Sequence, residues 1–255
     1  MNREATPEER HQFIIETLAA KGRLGTSDLS ERFQISDDTA RRDLREMAAA
    51  GLLQRVHGGA LPVSPAGLPF VKRYRIANEE KVRLAQRAGQ LISPGQLVIM
   101  DGGTTNLELA RQLPRELEAT ILTNSPRIAT ETSEHPLLQV ILLGGVFDKR
   151  SQMTLGAHVL TELALVRADL CFLGVHGIHP ELGLTTAGFD EATIKKAMMH
   201  ASAEVIALVT GNKFGTAAAH KFGEISELDT IVADDTPAAR QFEKDVGKNT
   251  RLLFA

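Results

Sequence analysis

The run Val98-Ile99-Met100-Asp101-Gly102-Gly103-Thr104-Thr105-Asn106 brings together the residue types that hold an anion. Two glycines let the backbone approach a ligand closely. N–H groups at the start of a helix opening near Leu107 point outward, and two threonine hydroxyls add donors. The same stretch also reads as a plain turn with a threonine cap. Other apolar runs end in a similar way, in Thr123-Asn124-Ser125-Pro126, in Gly144-Gly145 and in Gly174-Val175-His176-Gly177-Ile178. Lys195 and Lys213 can each meet a phosphate as a point charge, and Lys195 also reads as an ordinary i,i+4 partner of Glu191. The candidate ligand set is therefore Asp101, Gly102, Gly103, Thr104, Thr105, Asn124, Ser125, Gly144, Gly145, Gly177, Glu191, Lys195 and Lys213.

A second group lies near the N-terminus. Ser36, Asp38, Thr39, Arg41 and Arg42 fall in the first half of one helical stretch, Arg45 lies one turn further on, and Arg55 and His57 follow on a segment rich in glycine. Hydroxyls and arginines at the start of a helix suit contacts with phosphates and base edges in a DNA groove. Asp37 and Asp38 favour the helix dipole but would repel nearby phosphates. Two roles stay open for them, a solvated cap and an acceptor for a cytosine amino group. Arg41, Arg42 and Arg45 likewise read either as DNA contacts or as a solvated face paired with Glu46, Asp38 or Asp43.

The elements that must position these residues follow from the apolar pattern. Phe13, Ile14, Thr17 and Leu18 share a face of a first helix that stops at Gly22. A short second helix carries Asp28 and Glu31 as a capping pair, with Leu29 and Phe33 turned inward. Ser36 is the expected N-cap of a third helix, where Ala40, Leu44, Met47 and Ala48 form a buried stripe and Thr39, Arg42 and Asp43 point elsewhere. Gly51 to Ala60 then predicts a β-hairpin wing, with Gly58 and Gly59 supplying positive φ. Pro62, Pro65, Gly67 and Pro69 interrupt regular structure and mark a linker over residues 61–77. Beyond it, apolar runs at 97–100, 120–123, 139–143, 170–173, 205–209 and 230–233 alternate with helical stretches, the pattern of βαβ units on a mostly parallel sheet. The expected fold class is α/β, with a DNA-reading unit over 1–60 and a larger unit over 78–255. In such a sheet, ligands bind outside the carboxyl ends of the strands, so the glycine-rich ends are expected to converge.

Composition narrows the function classes. A hydrophobic fraction of 43% and a charged fraction of 24% over 255 residues fit a folded globular chain and exclude wholesale disorder. Residues 1–20 are charged, without the apolar centre of a signal peptide, and no run approaches a membrane span, which implies a cytoplasmic protein with no membrane partner. Cys171, the single cysteine, sits in an apolar strand-like run. A net charge of −3, and nine basic against ten acidic residues in the first 60, mean that any DNA contact depends on arrangement rather than bulk charge.

The segments Ile35-Ser36-Asp37-Asp38-Thr39-Ala40-Arg41-Arg42-Asp43-Leu44 and Arg55-Val56-His57-Gly58-Gly59-Ala60 together resemble the DeoR family of bacterial regulators. The likeness extends along nearly the whole chain through Asp101 to Thr105, Thr123-Asn124-Ser125, Gly144-Gly145, Gly174 to Ile178, Glu191 with Lys195, and Lys213-Phe214-Gly215. It implies a winged helix-turn-helix that binds operator DNA as a homodimer or homotetramer. It also implies a sensor domain similar in fold to ribose-5-phosphate isomerase, whose ligand is a phosphorylated sugar or polyol. Two positions depart from the family pattern. Ala40 replaces a branched apolar residue, and Thr210-Gly211-Asn212 precedes Lys213 where the family has an acid and a hydroxyl.

The sequence also admits three rival readings. An isomerase needs a general base, and the Gly174 to Ile178 stretch holds no acid, leaving Glu191 or His176 as substitutes. Cys171, His176, His179 and His200 match no common zinc spacing, so no metal or cofactor is expected. An activator would share the architecture of a repressor.

Overall fold

The computed structural model describes residues 5–247 and 249–255. The N-terminal unit contains α1 (Pro7–Lys21), β1 (Leu24–Gly25), α2 (Thr26–Phe33), α3 (Asp37–Ala49), β2 (Gln54–Val56) and β3 (Gly59–Leu61). Ile14, Leu18, Leu29, Ala40, Leu44, Met47 and Leu53 form its core, as the helical periodicity requires. Ser36 caps α3, its Oγ accepting from Thr39 N at 3.2 Å.

Three local expectations are corrected. Helix α2 begins at Thr26, so Asp28 occupies its third position and accepts from Gly25 N at 3.1 Å instead of pairing with Glu31. Asp43 does not point to solvent. It is 3% exposed and takes a bidentate pair from Arg10 of α1, at 2.6 and 3.0 Å. Of the two turn glycines of the wing, Gly58 has positive φ, at +76°, and Gly59 does not. Gly59 is required for a different reason: a Cβ there would stand 2.1 Å from the Leu24 carbonyl, because β3 lies between β1 and β2.

Residues 62–77 contain a 3-10 turn, Pro65–Gly67, and α4 (Phe70–Tyr74). This stretch is a strap laid on the larger unit, not open chain: Ala66 and Phe70 are 4% and 2% exposed, and Phe70 enters the core beneath the sheet. Prolines limit its conformations, and apolar anchors hold it down.

The larger unit continues with α5 (Asn78–Gly89), β4 (Leu97–Met100), α6 (Thr104–Arg111), β5 (Ala119–Thr123), α7 (Pro126–Thr132), β6 (Leu138–Leu142), β7 (Val146–Asp148), β8 (Met153–Leu155) and α8 (Ala157–Leu163). It is completed by β9 (Ala168–Gly174), β10 (Gly177–His179), β11 (Gly183–Thr186), α9 (Phe189–His200), β12 (Ser202–Val209), β13 (His220–Gly223), β14 (Thr230–Ala233), α10 (Pro237–Asp245) and β15 (Arg251–Phe254). Seven parallel strands run in the order β15-β14-β12-β9-β4-β5-β6. Side chains alternate across the sheet. Val98, Met100, Leu170 and Phe172 meet α5, α6 and α7, whereas Ile99, Cys171 and Leu173 meet α8, α9 and α10. Burial on both faces is why these strands read as unbroken apolar runs. Strands β10, β11 and β13 form a small antiparallel sheet, and β7 with β8 a hairpin.

From β4 the chain winds outward to β5 and β6, then resumes on the opposite side at β9. The reversal leaves a crevice between the carboxyl ends of β4 and β9, where an open α/β sheet admits a ligand. Leu84, Ala85 and Ala88 of α5 are fully buried in the core, so that face of the helix is not free to meet a second copy.

Candidate functional site

At the crevice, Asp101 and Lys195 are 1% and 3% exposed and form an ion pair. Asp101 Oδ2 also accepts from Gly174 N at 2.9 Å, and Lys195 Nζ donates to the Gly174 carbonyl at 2.8 Å. The i,i+4 alternative for Lys195 is thereby displaced: Glu191 instead accepts from the Thr186 hydroxyl at 2.6 Å. Asn106 Nδ2 donates to the carbonyls of Asp101 and Phe172, at 2.7 and 2.9 Å, tying β4 to β9. The remaining oxygens, Asp101 Oδ1 and Asn106 Oδ1, are buried without a hydrogen-bond partner among the described residues. Buried acceptors of this kind are costly unless a donor reaches them.

Gly102, Gly103, Thr104, Thr105, Asn106, Gly174, His176, Glu191, Lys195, Lys213 and Arg73 line a hollow of about 370 Å³ that is continuous with solvent. No side chain caps the N-terminus of α6, so its first amides remain available to an anion. Gly102 is required by the packing beneath the cradle: a Cβ would fall 2.2 Å from Met153 Cγ.

The cations in and around this hollow disturb one another. Burial, followed by the charges of Arg73, Lys81 and Lys195, brings Lys213 down to about 7. Burial and the Arg73 charge lower Lys81 to about 8, while its ammonium donates to the carbonyls of Arg73 and Ile76 at 2.6 and 2.5 Å. His176 is pushed well below the ordinary histidine range, first by burial and then by Arg73, Lys195 and Lys213. Its Nδ1 lies 2.6 Å from the Thr186 hydroxyl and 3.0 Å from Ala187 N. The site is short of negative charge, and an entering dianion would relieve that shortage.

Of the residues anticipated for the ligand, Gly102, Gly103, Thr104, Thr105, Glu191, Lys195 and Lys213 line the hollow. Asp101 and Asn124 stand just behind it, with Asn124 Oδ1 accepting from Gly102 N at 2.9 Å. The other strand ends do not converge. Ser125 caps α7. The Gly144 amide donates to Glu162 at 2.9 Å, Gly145 packs against the Leu155 carbonyl, and Gly177 packs against Thr216. Sequence reasoning missed Arg73 and Lys81, and named Asn106 within the anion-holding run without counting it among the ligands. The cationic run Lys72-Arg73 within the supposed linker was the available signal for Arg73.

On the N-terminal unit, Ser36, Asp38, Arg41, Arg42, Arg45, Arg55 and His57 are exposed, and Thr39 is half-buried. Ser36 and Thr39 hydroxyls are 2.9 Å apart. Arg41 lies 3.4 Å from Asp38, and Arg42 pairs with Glu46 at 2.9 Å. Asp37 accepts from Ser30 Oγ at 2.7 Å, fastening α2 to α3. Arg41 of α3 and Arg55 and His57 of the wing border one concave surface. Exposed pairs of this kind are weak and exchange readily for phosphate.

Cys171, His176, His179 and His200 do not form a group close enough to share an ion. Among the described residues, the grouping close enough to share an ion is His11, Asp43 and Glu46, and Arg10 already occupies Asp43. Cys171 is buried, and its thiol is pushed up by that burial. Among the described residues no helix is long and apolar enough to cross a membrane.

Residues 10–66 match the DeoR-like helix-turn-helix domain, and residues 76–235 match the DeoR C terminal sensor domain. The chain belongs to the DeoR family. This DeoR-family chain is a DNA-binding transcriptional regulator with a sensor domain. It is 34% identical over 232 residues to the HTH-type transcriptional regulator GlpR of Haloferax volcanii, covering 90% of this chain and 91% of that protein. It is 33% identical over 230 residues to the glycerol-3-phosphate regulon repressor of Escherichia coli K12, with the same coverage of 90% and 91%. The HTH-type transcriptional repressor GlcR of Bacillus subtilis is 31% identical over 90% of this chain and 89% of its own length. Ribose 5-phosphate isomerase A of Methanocaldococcus jannaschii superposes with a TM-score of 0.41 at 17% identity, over 54% of each chain. The fold assignment of the DeoR-family sensor stands on its own strand order.

Proposed function

We propose that this regulator represses genes of carbohydrate or polyol use, and that a phosphorylated sugar or polyol bound between β4 and β9 changes its hold on operator DNA. Residues 1–60 would read DNA through α3 and the wing, residues 78–255 would form the sensor, and residues 61–77 would join them. The observation that carries this reading is the convergence of Arg73, Lys195 and Lys213 on the uncapped start of α6, beside two unpartnered buried acceptors. Cations and amides suit a phosphate, and Asn106, which lines the hollow, suits a donating hydroxyl. The name of the glycerol-3-phosphate relative agrees with that chemistry.

Binding rather than catalysis fits the carboxylates. Asp101 is held by Lys195, and Glu191 is engaged by Thr186, so neither is poised as a free base. Operator reading by one winged helix would be weak, and a homodimer or homotetramer in the cytoplasm completes the proposal.

The test is operator-fragment binding at fixed salt, with glycerol 3-phosphate, fructose 1-phosphate, inorganic phosphate, glycerol and fructose added in turn. Release by a phosphorylated compound but not by its parent alcohol or sugar is expected. Specific DNA binding indifferent to every compound would leave the DNA reader and remove the effector site.

A further inference from the structure

The strap between the two units forms a wall of the sensor pocket. Arg73 lines three adjoining hollows, sharing Thr104 and Lys213 with one side and His176 and Glu191 with the other. Pro65 and Ala66 line the same region. The strap is fastened at the Ser64 hydroxyl, which donates to the His176 carbonyl, and at Phe70 N, which donates to the Arg150 carbonyl at 2.9 Å. Arg150 in turn donates to Gly67 O at 2.6 Å. Ser64 lies three residues beyond Leu61, the end of β3 of the wing, so the strap is joined to the DNA reader by a short stretch of chain.

The cations differ in how they can be neutralised. Lys195 has Asp101, and Lys81 is spent on backbone carbonyls. Lys213 can release its proton near neutral pH. An arginine cannot. Arg73 Nε donates to Leu68 O at 2.9 Å, a bond within the strap, and among the described residues its terminal nitrogens make no hydrogen bond or ion pair. It is a permanent charge with free donors, on the piece of chain that leads to the wing.

We propose that Arg73 is the residue through which the DNA reader feels an anion in the pocket: its guanidinium binds the ligand, and the strap it belongs to transmits the change. This rests on the effector reading given above. A planar fork pairs with phosphate oxygens two at a time, so ligand binding redirects Arg73 and with it the turn at Pro65–Gly67. A second bridge joins the units, Arg23 to Glu181 at 2.9 Å, but both side chains are exposed and such a pair is weak.

The experiment compares the full-length wild type with Arg73→Ala, Arg73→Lys, Ser64→Ala and Arg23→Ala. Glycerol 3-phosphate and fructose 1-phosphate serve as probes, with binding and operator release measured separately. Arg73→Ala should keep operator affinity within about threefold, lose about tenfold or more in probe affinity, and release little DNA even at saturation. Arg73→Lys should recover affinity in part. Ser64→Ala, which removes an anchor outside the ligand, should keep probe affinity and lose release; Arg23→Ala should keep both. Full release from Arg73→Ala at saturating probe, with the wild type responding, would overturn this proposal alone. A wild type unmoved by either probe would overturn it together with the effector reading. Should Arg73→Ala fail to fold, full release from both Arg73→Lys and Ser64→Ala would still overturn it.

Discussion

The two units place the same chemistry, hydroxyls and cations at a helix start, in opposite surroundings. On α3, Arg41 and Arg42 are exposed and already lean on Asp38 and Glu46. Water and salt screen those charges, so the surface suits a long polyanion met by many weak contacts. At α6, Arg73, Lys195 and Lys213 surround a hollow with few carboxylates, and burial lowers Lys213 to about 7. There the same charges favour one compact dianion, and protonation becomes part of binding. On the proposed reading, exposure and not residue type separates the DNA surface from the small-molecule site.

The sharpest way to break the comparison is to remove a charge whose burial resembles the sensor but which lies in the DNA reader. Asp43→Ala strands Arg10 against α3, and the expected loss is about 3–5 kcal/mol of stability. Denaturant unfolding should show the N-terminal unit melting early while the sensor still binds its probe. A loss below 1 kcal/mol would mean that this pair behaves like the exposed ones.

Lys213→Met tests the sensor side. Losing a charged donor to a phosphate should cost about 1.5–3 kcal/mol of probe affinity by calorimetry, with operator binding unchanged in the absence of probe. The pH dependence has a definite sign. Because the folded-state value lies near 7, below the roughly 10.4 of a free lysine, the unfolded chain holds more protons between those values, and the lysine's contribution makes stability rise with pH across that window. Probe binding must restore the proton, so affinity should fall as pH climbs from 7 to 9. Lys213→Met should flatten both trends; unchanged pH profiles in that variant would assign them to Lys81.

The smallest effect is expected at the surface. Arg42→Ala should weaken operator binding by about 1 kcal/mol and reduce the salt slope by about one, leaving probe affinity alone. Equal operator affinity at every salt concentration would take Arg42 off the interface and leave it as the partner of Glu46.

What was legible in the sequence is local. Ser36 as a cap, the stripe Ala40, Leu44 and Met47, the six apolar runs that became β4, β5, β6, β9, β12 and β14, and the glycine-threonine cradle at 102–105 all depend on neighbours within a few positions. Periodicity, caps and turn residues act over that range. Strand β15, the small antiparallel sheet and the β7–β8 hairpin escaped because their strands are too short to show a period, although β10 and β11 are buried along their whole length.

The sequence by itself determined the helices of the N-terminal unit, the α/β alternation of the sensor and the glycine-threonine turn that opens α6, since each follows from residue type and spacing. The tertiary structure alone decided that Lys195 would meet Asp101 rather than Glu191, that Asp43 would be buried against Arg10, that Gly144 and Gly145 would serve packing, and that Arg73 would enter the pocket from the strap. The reason is strand order: reversal of the winding after β6 places β9 beside β4, and residues far apart along the chain then share one crevice through contacts that no local pattern encodes.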